Sequence, residues 1–312
     1  MMQIIRQKGD YAYAFSKYAD PIATVRPGEK FIVETTDAYA GVLDSEDKIP
    51  SVVLAEQSKH KRLNPQTGPI YVEGAKAGDI LIVKIHDIDL YRGWAVSALF
   101  ENCGGLNATA QTRMLNAPIE ERVWIYQQDG DHYKSRDHLS FPIAPFLGTM
   151  ATAPEFEAFS SLSPFNHGGN MDCRDVKPGN IIYLPISVDG AYFFTGDCHV
   201  NQGDGEICST ALETAARVTL EFDIIQQKPL AWPRIESPTH YITVGSMRPI
   251  EDAVRIACCE MIDWMVELGW NKLDAYEYLS IGQGLYICNM VNTTFTVACS
   301  VDKMAALHFL DA

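Results

Sequence analysis

Helical periodicity is confined to the tail of the chain, and that restriction decides most of what the remainder can fold into. Between about residues 250 and 268, Val254, Ala257, Cys258, Met261, Ile262 and Met265 recur at three- and four-residue spacing, and Gly269 is a natural stop. Met261, Trp264 and Met265 sit at packing spacing on that helix and read as core. A second helix is expected over residues 272–279, ending before Gly282 and Gly284. Upstream, residues 28–100 consist of short β-branched runs punctuated by turn signals: strands at 30–36, 70–73 and 79–89, with a turn at 64–68. In the run 79–89 apolar residues occupy both alternating sets, as in a strand buried on both faces. Residues 218–225 alternate cleanly through Val218, Leu220, Phe222 and Ile224.

The turn Gly74-Ala-Lys-Ala-Gly-Asp79 and the later Asp175-Val-Lys-Pro-Gly-Asn180 both lead into apolar runs, a weak sign of internal duplication. Strands at 241–244 and 293–299 flank the two helices. The expected fold class is therefore mainly β: a sandwich or barrel-like body over residues 1–234, with a smaller α+β unit, 235–312, packed on it.

Composition narrows the function. A 312-residue chain that is 47% hydrophobic and 21% charged can bury a sizeable core. A formal net charge of −15, with only 25 scattered Lys and Arg, excludes a nucleic-acid partner. No apolar run reaches the length of about 18 residues that a membrane helix needs, and the first residues lack a secretory pattern. Eight cysteines without a CxxC pair read as free thiols, so a cytoplasmic protein without a membrane partner is expected.

Chemistry-bearing residues concentrate in Asn166-His-Gly-Gly-Asn-Met-Asp172 and Thr195-Gly-Asp-Cys-His-Val-Asn-Gln-Gly-Asp-Gly-Glu206. Asp197 and His199 lie two apart, so on an extended strand they share a face and can grip one cation, with Asp172 completing the set. Mixed imidazole and carboxylate donors suit zinc in an open site, whereas an all-oxygen shell would suit calcium or magnesium. Glu206 is the expected general base, and Asp204 a further ligand or an orienting group. Gly168, Gly169 and Asn170 are candidates to stabilise a developing oxyanion. Taken alone, Asp-Gly and Gly-Gly are also ordinary turn dipeptides. His86 reads as a hydrogen-bonded strand residue and His60 as solvated loop.

These segments, together with Tyr71-Val-Glu-Gly-Ala-Lys-Ala-Gly-Asp79, Asn64-Pro-Gln-Thr-Gly-Pro69 and Pro145-Phe-Leu-Gly-Thr-Met-Ala-Thr-Ala-Pro154, resemble the acetamidase/formamidase family over nearly the whole chain. The resemblance implies hydrolysis of a small neutral amide to carboxylate and ammonia, a β-rich scaffold, and assembly as a homodimer or larger homo-oligomer. It also implies a divalent metal, held by Asp172, Asp197, His199 and an acidic position near the N-terminus, Asp37; the mixed donor set puts zinc ahead of calcium. His167 joins Glu206 and Asp204 in the implied catalytic set, and Gln202 joins Gly168, Gly169 and Asn170 at the substrate. Two competing readings remain: an amidase using Cys198 as nucleophile, and a non-catalytic scaffold holding calcium or a small molecule.

Overall fold

The computed structural model describes residues 2–57, 63–101, 103–106, 119–136 and 139–307, so His60 lies outside the described residues. They form a nine-stranded sheet, a ten-stranded sheet, a two-stranded ribbon and a few helices, of which Ile250–Glu267 and Lys272–Ile281 are the longest. The architecture is mainly β, as the periodicity predicts.

The first sheet is built around Ile80–Asp89, which pairs antiparallel with Arg217–Ile225 on one side and Ile181–Pro185 on the other. A strand with neighbours on both edges and packing on its faces has no solvent side, which is why its sequence is apolar at successive positions. The two similar turns noted in the sequence lead into the Ile80–Asp89 and Ile181–Pro185 pair from opposite ends. The Gly78 amide donates to the Ile186 carbonyl at 2.8 Å, and the Gly179 amide donates to the Ile85 carbonyl at 2.9 Å. The duplicated turn grammar thus corresponds to two equivalent ends of one antiparallel ladder.

The second sheet has Phe193–His199 at its heart, buried along its whole length. It pairs with Phe146–Ala151 on one edge and with Glu213–Thr214 and Gln66–Val72 on the other. The main core lies where the sheets face each other: Phe31, Val33, Leu81, Val83, Val218, Leu220 and Phe222 from the first meet Ile70, Val72, Leu147, Met150 and Phe193 from the second. The turn expected at 64–68 is replaced in part by the strand Gln66–Val72, because Gly68 lets the chain pass so close to Phe193 that a Cβ would lie 2.7 Å from its carbonyl oxygen.

The expected boundary at 234/235 falls inside the strand Arg234–Glu236. That strand pairs with both Ile181–Pro185 and His240–Met247, and Phe295–Asp302 and Gly284–Asn289 follow in the same sheet. The tail therefore extends the first sheet. The helix Ile250–Glu267 covers the extension, burying Ala257, Met261, Ile262 and Met265 against Cys299 and Val301. Asn271 starts the next helix by accepting the Leu273 amide hydrogen on its side chain, at 2.8 Å.

Candidate active site

Five ionisable side chains converge on one face at the centre of the second sheet. Ligand atoms of Asp172, Asp197 and His199 all lie within 4.8 Å of one another, as do those of His199, Glu206 and Glu213. All five residues are buried. Asp197 and His199 come from the central strand. Between Leu147↔Cys198 and Thr149↔Gly196 the ladder passes Asp197, which holds a φ of +58° and, two residues before His199, shares its face. Glu213 is the cross-strand partner of His199, and its Oε1 lies 3.2 Å from His199 Nε2. Asp172 follows the short strand Gly168–Asn170, and Glu206 sits in a single turn after the chain leaves the central strand.

Asp172, Asp197 and Glu206 all hold positive φ, at 48°, 58° and 49°. Non-glycine residues adopt that region at a cost of about 1–3 kcal/mol each, sustained only where surroundings enforce it. Around Asp172 and Asp197 hydrogen bonds brace the chain: the Asp172 amide donates to the Gly148 carbonyl at 3.0 Å, and Asn292 Nδ2 donates to Asp172 Oδ2 at 2.8 Å. Asn64 Nδ2 donates to Asn170 Oδ1 at 2.7 Å, and Thr149 Oγ1 to Asp197 Oδ2 at 3.2 Å.

Gly148 is the floor of the cluster. A Cβ there would lie 2.6 Å from Asp197 Oδ2, 2.7 Å from Asp172 Oδ1 and 2.9 Å from His199 Cε1. Beside the acids lies a cavity of about 50 Å3. Tyr39, Leu63 and Phe100 form its apolar wall, and Asn170, Asp197, Glu206, Glu213 and Asn292 its polar wall.

The electrostatics are those of acids without sufficient counter-charge. Burial pushes the Glu206 carboxyl up to about 8, reinforced by Glu213 and Asp197 against the pull of His199. Burial likewise raises Glu213 to about 7 and Asp172 well above the usual carboxylate range. For His199 burial favours the neutral ring, yet Glu213 and Asp197 outweigh it and raise its pKa. Asp172 Oδ1, His199 Nε2 and Glu213 Oε2 are buried polar atoms without hydrogen-bond partners among the described residues. Orphaned donors of this kind, oxygen and imidazole nitrogen around one point, fit a divalent cation.

Several residues that the sequence placed at the site sit elsewhere, each for a physical reason. Asp37 accepts hydrogen bonds from the Tyr39 and Gly41 amides, at 2.8 and 2.9 Å, and pairs with Arg92, so its oxygens are committed away from the cluster. Asp204 is largely exposed and pairs with Arg174. His167 is packed between Phe15 and Phe159, with ring centroids 5.3 and 4.9 Å away. Burial lowers its pKa to about 3, which keeps it neutral. The Gly168 amide donates to the Phe165 carbonyl, and side chains at Gly168 or Gly169 would overlap the carbonyls of Met150 or Ser163. These glycines allow close chain approach. Asn170 does line the cavity, whereas Gln202 binds His199 instead. His86 pairs with Glu221 at 3.0 Å.

Cys198 points into the hydrophobic core, opposite its neighbours Asp197 and His199, and burial pushes its thiol up to about 12. A thiol so protonated and so placed is no nucleophile, which removes the cysteine mechanism. Glu213, by contrast, carries no local signal in the sequence that distinguishes it; only the pairing with His199 brings it to the site.

The paired burial shifts make a prediction for the metal-free protein. Glu206 and Glu213 bind protons more tightly folded than at their ordinary value of 4.5, so the folded state holds more protons and stability falls as pH rises. The melting temperature of protein kept in chelator is expected to drop from about pH 5 to pH 8. A chelated protein whose Tm rises over the same range would contradict the burial of neutral acids here.

A family model described as the acetamidase/formamidase family matches residues 14–162 and 155–298. The chain is 26% identical to the acetamidase of Mycolicibacterium smegmatis, across 89% of this chain and 87% of that protein. It is 24% identical to the formamidase of Methylophilus methylotrophus, across 83% and 79%. Among solved structures, an acetamidase from Yersinia enterocolitica matches with a TM-score of 0.93 at 38% identity, covering 98% of this chain and 93% of its own. An acetamidase from Bacillus halodurans matches with a TM-score of 0.86 at 30% identity, covering 99% and 98%.

Proposed function

The chain belongs to the acetamidase/formamidase family and is an amidohydrolase; on that premise we propose that it cleaves a short neutral amide with the help of a divalent cation, zinc ahead of calcium. Asp172, Asp197 and His199 hold the cation, and Glu206 moves the proton. The observation that carries this reading is the convergence of buried, under-partnered donors beside a small cavity.

A bound cation supplies Lewis-acid polarisation of the amide carbonyl and lowers the pKa of water. The protein does the rest. Glu206, whose carboxyl titrates near neutrality, is suited to take a proton from the attacking water and return it to the departing nitrogen, giving carboxylate and ammonia. Glu213, opposite His199 in the ladder, sets its Oε1 3.2 Å from His199 Nε2 and adds negative charge beside the imidazole. Asn292 and Thr149 orient Asp172 and Asp197.

Size selects the substrate. Each water-sized particle occupies about 10–15 Å3 on the same measure, so a cavity of about 50 Å3 takes only a few heavy atoms. Formamide and acetamide fit, with the acyl group against Tyr39, Leu63 and Phe100. The test is ammonia release from formamide, acetamide, propionamide and butyramide. Turnover is expected to fall along that series, to disappear on exhaustive chelation and to return with zinc. Undiminished turnover by protein that elemental analysis shows to be metal-free would refute the cation's role. Metal binding without ammonia from any of the amides would favour the non-catalytic scaffold.

A further inference from the structure

Gln202 does not line the cavity, yet both of its amide hydrogens and its oxygen are committed within the site. Its Nε2 donates to the carbonyl oxygens of Asp172 and Cys288, each at 3.0 Å, and its Oε1 lies 3.0 Å from His199 Nδ1. Carbonyl oxygens only accept, so these two contacts fix which end of the amide is the NH2 group. The reverse orientation would set Oε1 against two other oxygens. With an acceptor facing the ring, His199 Nδ1 must carry hydrogen. The lone pair of the neutral imidazole then belongs to Nε2, the atom that lies 3.5 Å from Asp197 Oδ1 and 3.2 Å from Glu213 Oε1 without hydrogen-bond geometry to either. Phe146 meets the ring edge-on, with centroids 4.9 Å apart and planes at 86°, which restricts its rotation.

We propose that Gln202 is a positioning residue that locks His199 in the form protonated at Nδ1, so that Nε2 is the nitrogen presented to the cation; this rests on the cation site assigned to Asp172, Asp197 and His199. The same side chain ties three separate segments together: the bend at Asp172, the loop after the central strand and, through Cys288, the strand Gly284–Asn289. An outer partner of a ligating histidine fixes ring orientation and raises ligand basicity, and its loss costs about 10–100-fold in metal affinity.

The test uses the whole protein labelled with 15N-histidine, whose eight histidines keep the spectrum simple. The His199 signals are assigned by their absence in His199→Ala. At a pH above the raised pKa of His199, where the ring carries a single proton, metal-free wild type is expected to show that proton on Nδ1. Gln202→Leu is expected to lose that protected proton and to bind zinc about 10–100-fold more weakly in competition with a chromophoric chelator. Gln202→Glu keeps an acceptor oxygen toward the ring, while its other oxygen must be protonated to face the Asp172 and Cys288 carbonyls and can donate to only one of them; it is expected to fold less stably but to retain the Nδ1 proton and recover part of the affinity, which loss of general packing would not explain. A bare Nδ1 in wild type overturns the proposal without any variant, as does unchanged zinc affinity in folded Gln202→Leu. Wild type that shows the Nδ1 proton but binds no zinc would uphold the lock and remove the cation reading.

Discussion

Glu206→Gln is expected to lower kcat for the preferred short amide by about 10²–10⁴-fold while leaving the metal content of the purified protein unchanged. The substitution keeps the shape and burial of the side chain but removes the group that accepts and returns the proton. His199→Ala should behave differently, losing bound metal and turnover together, because the imidazole belongs to both donor groups of the cluster. Elemental analysis beside steady-state kinetics separates the two. Metal lost from Glu206→Gln would move the cation into the group formed by His199, Glu206 and Glu213 and take the proton-transfer role from Glu206. Fully active, metal-replete His199→Ala would contradict the assignment altogether.

Gly148→Ala is expected to cost nearly as much, although glycine 148 bears no chemistry. Its backbone is compatible with alanine, since its φ is not among the positive ones. The added methyl, however, would sit 2.6–2.9 Å from Asp197, Asp172 and His199 at once. Those side chains must move apart, and a displacement of about 1 Å at a reacting centre costs about 10²-fold. Overpacking of this kind costs about 1–3 kcal/mol, so the variant should fold with a Tm only a few degrees lower. Loss of turnover and of zinc affinity in a well-folded Gly148→Ala is the expected result; wild-type kinetics would show that the donors do not crowd this glycine.

What can be read from the sequence follows the range over which each signal acts. Asp197 and His199 announce themselves because strand alternation is a local rule, and Glu206 because it closes a Gly-rich turn. The helix Ile250–Glu267 is legible for the same reason. Glu213 is not, being one of 40 acidic residues until the ladder sets it opposite His199. Asn64, Asn292 and Gly148 act through contacts across the fold that no periodicity encodes. Asp37 looks like a ligand by resemblance, but Arg92, distant in sequence, claims it. The tail looks like a separate unit because its helices are local, whereas the strand pairing that continues the first sheet through residue 234 is not.

The amides of Asn289 and Asn292, which hold the bend carrying Asp172, come from the far end of the chain. A polypeptide still emerging from the ribosome will therefore have exposed every acid of the cluster well before it can brace them. Nascent or prematurely terminated chains that lack these two asparagines should be silent toward amides.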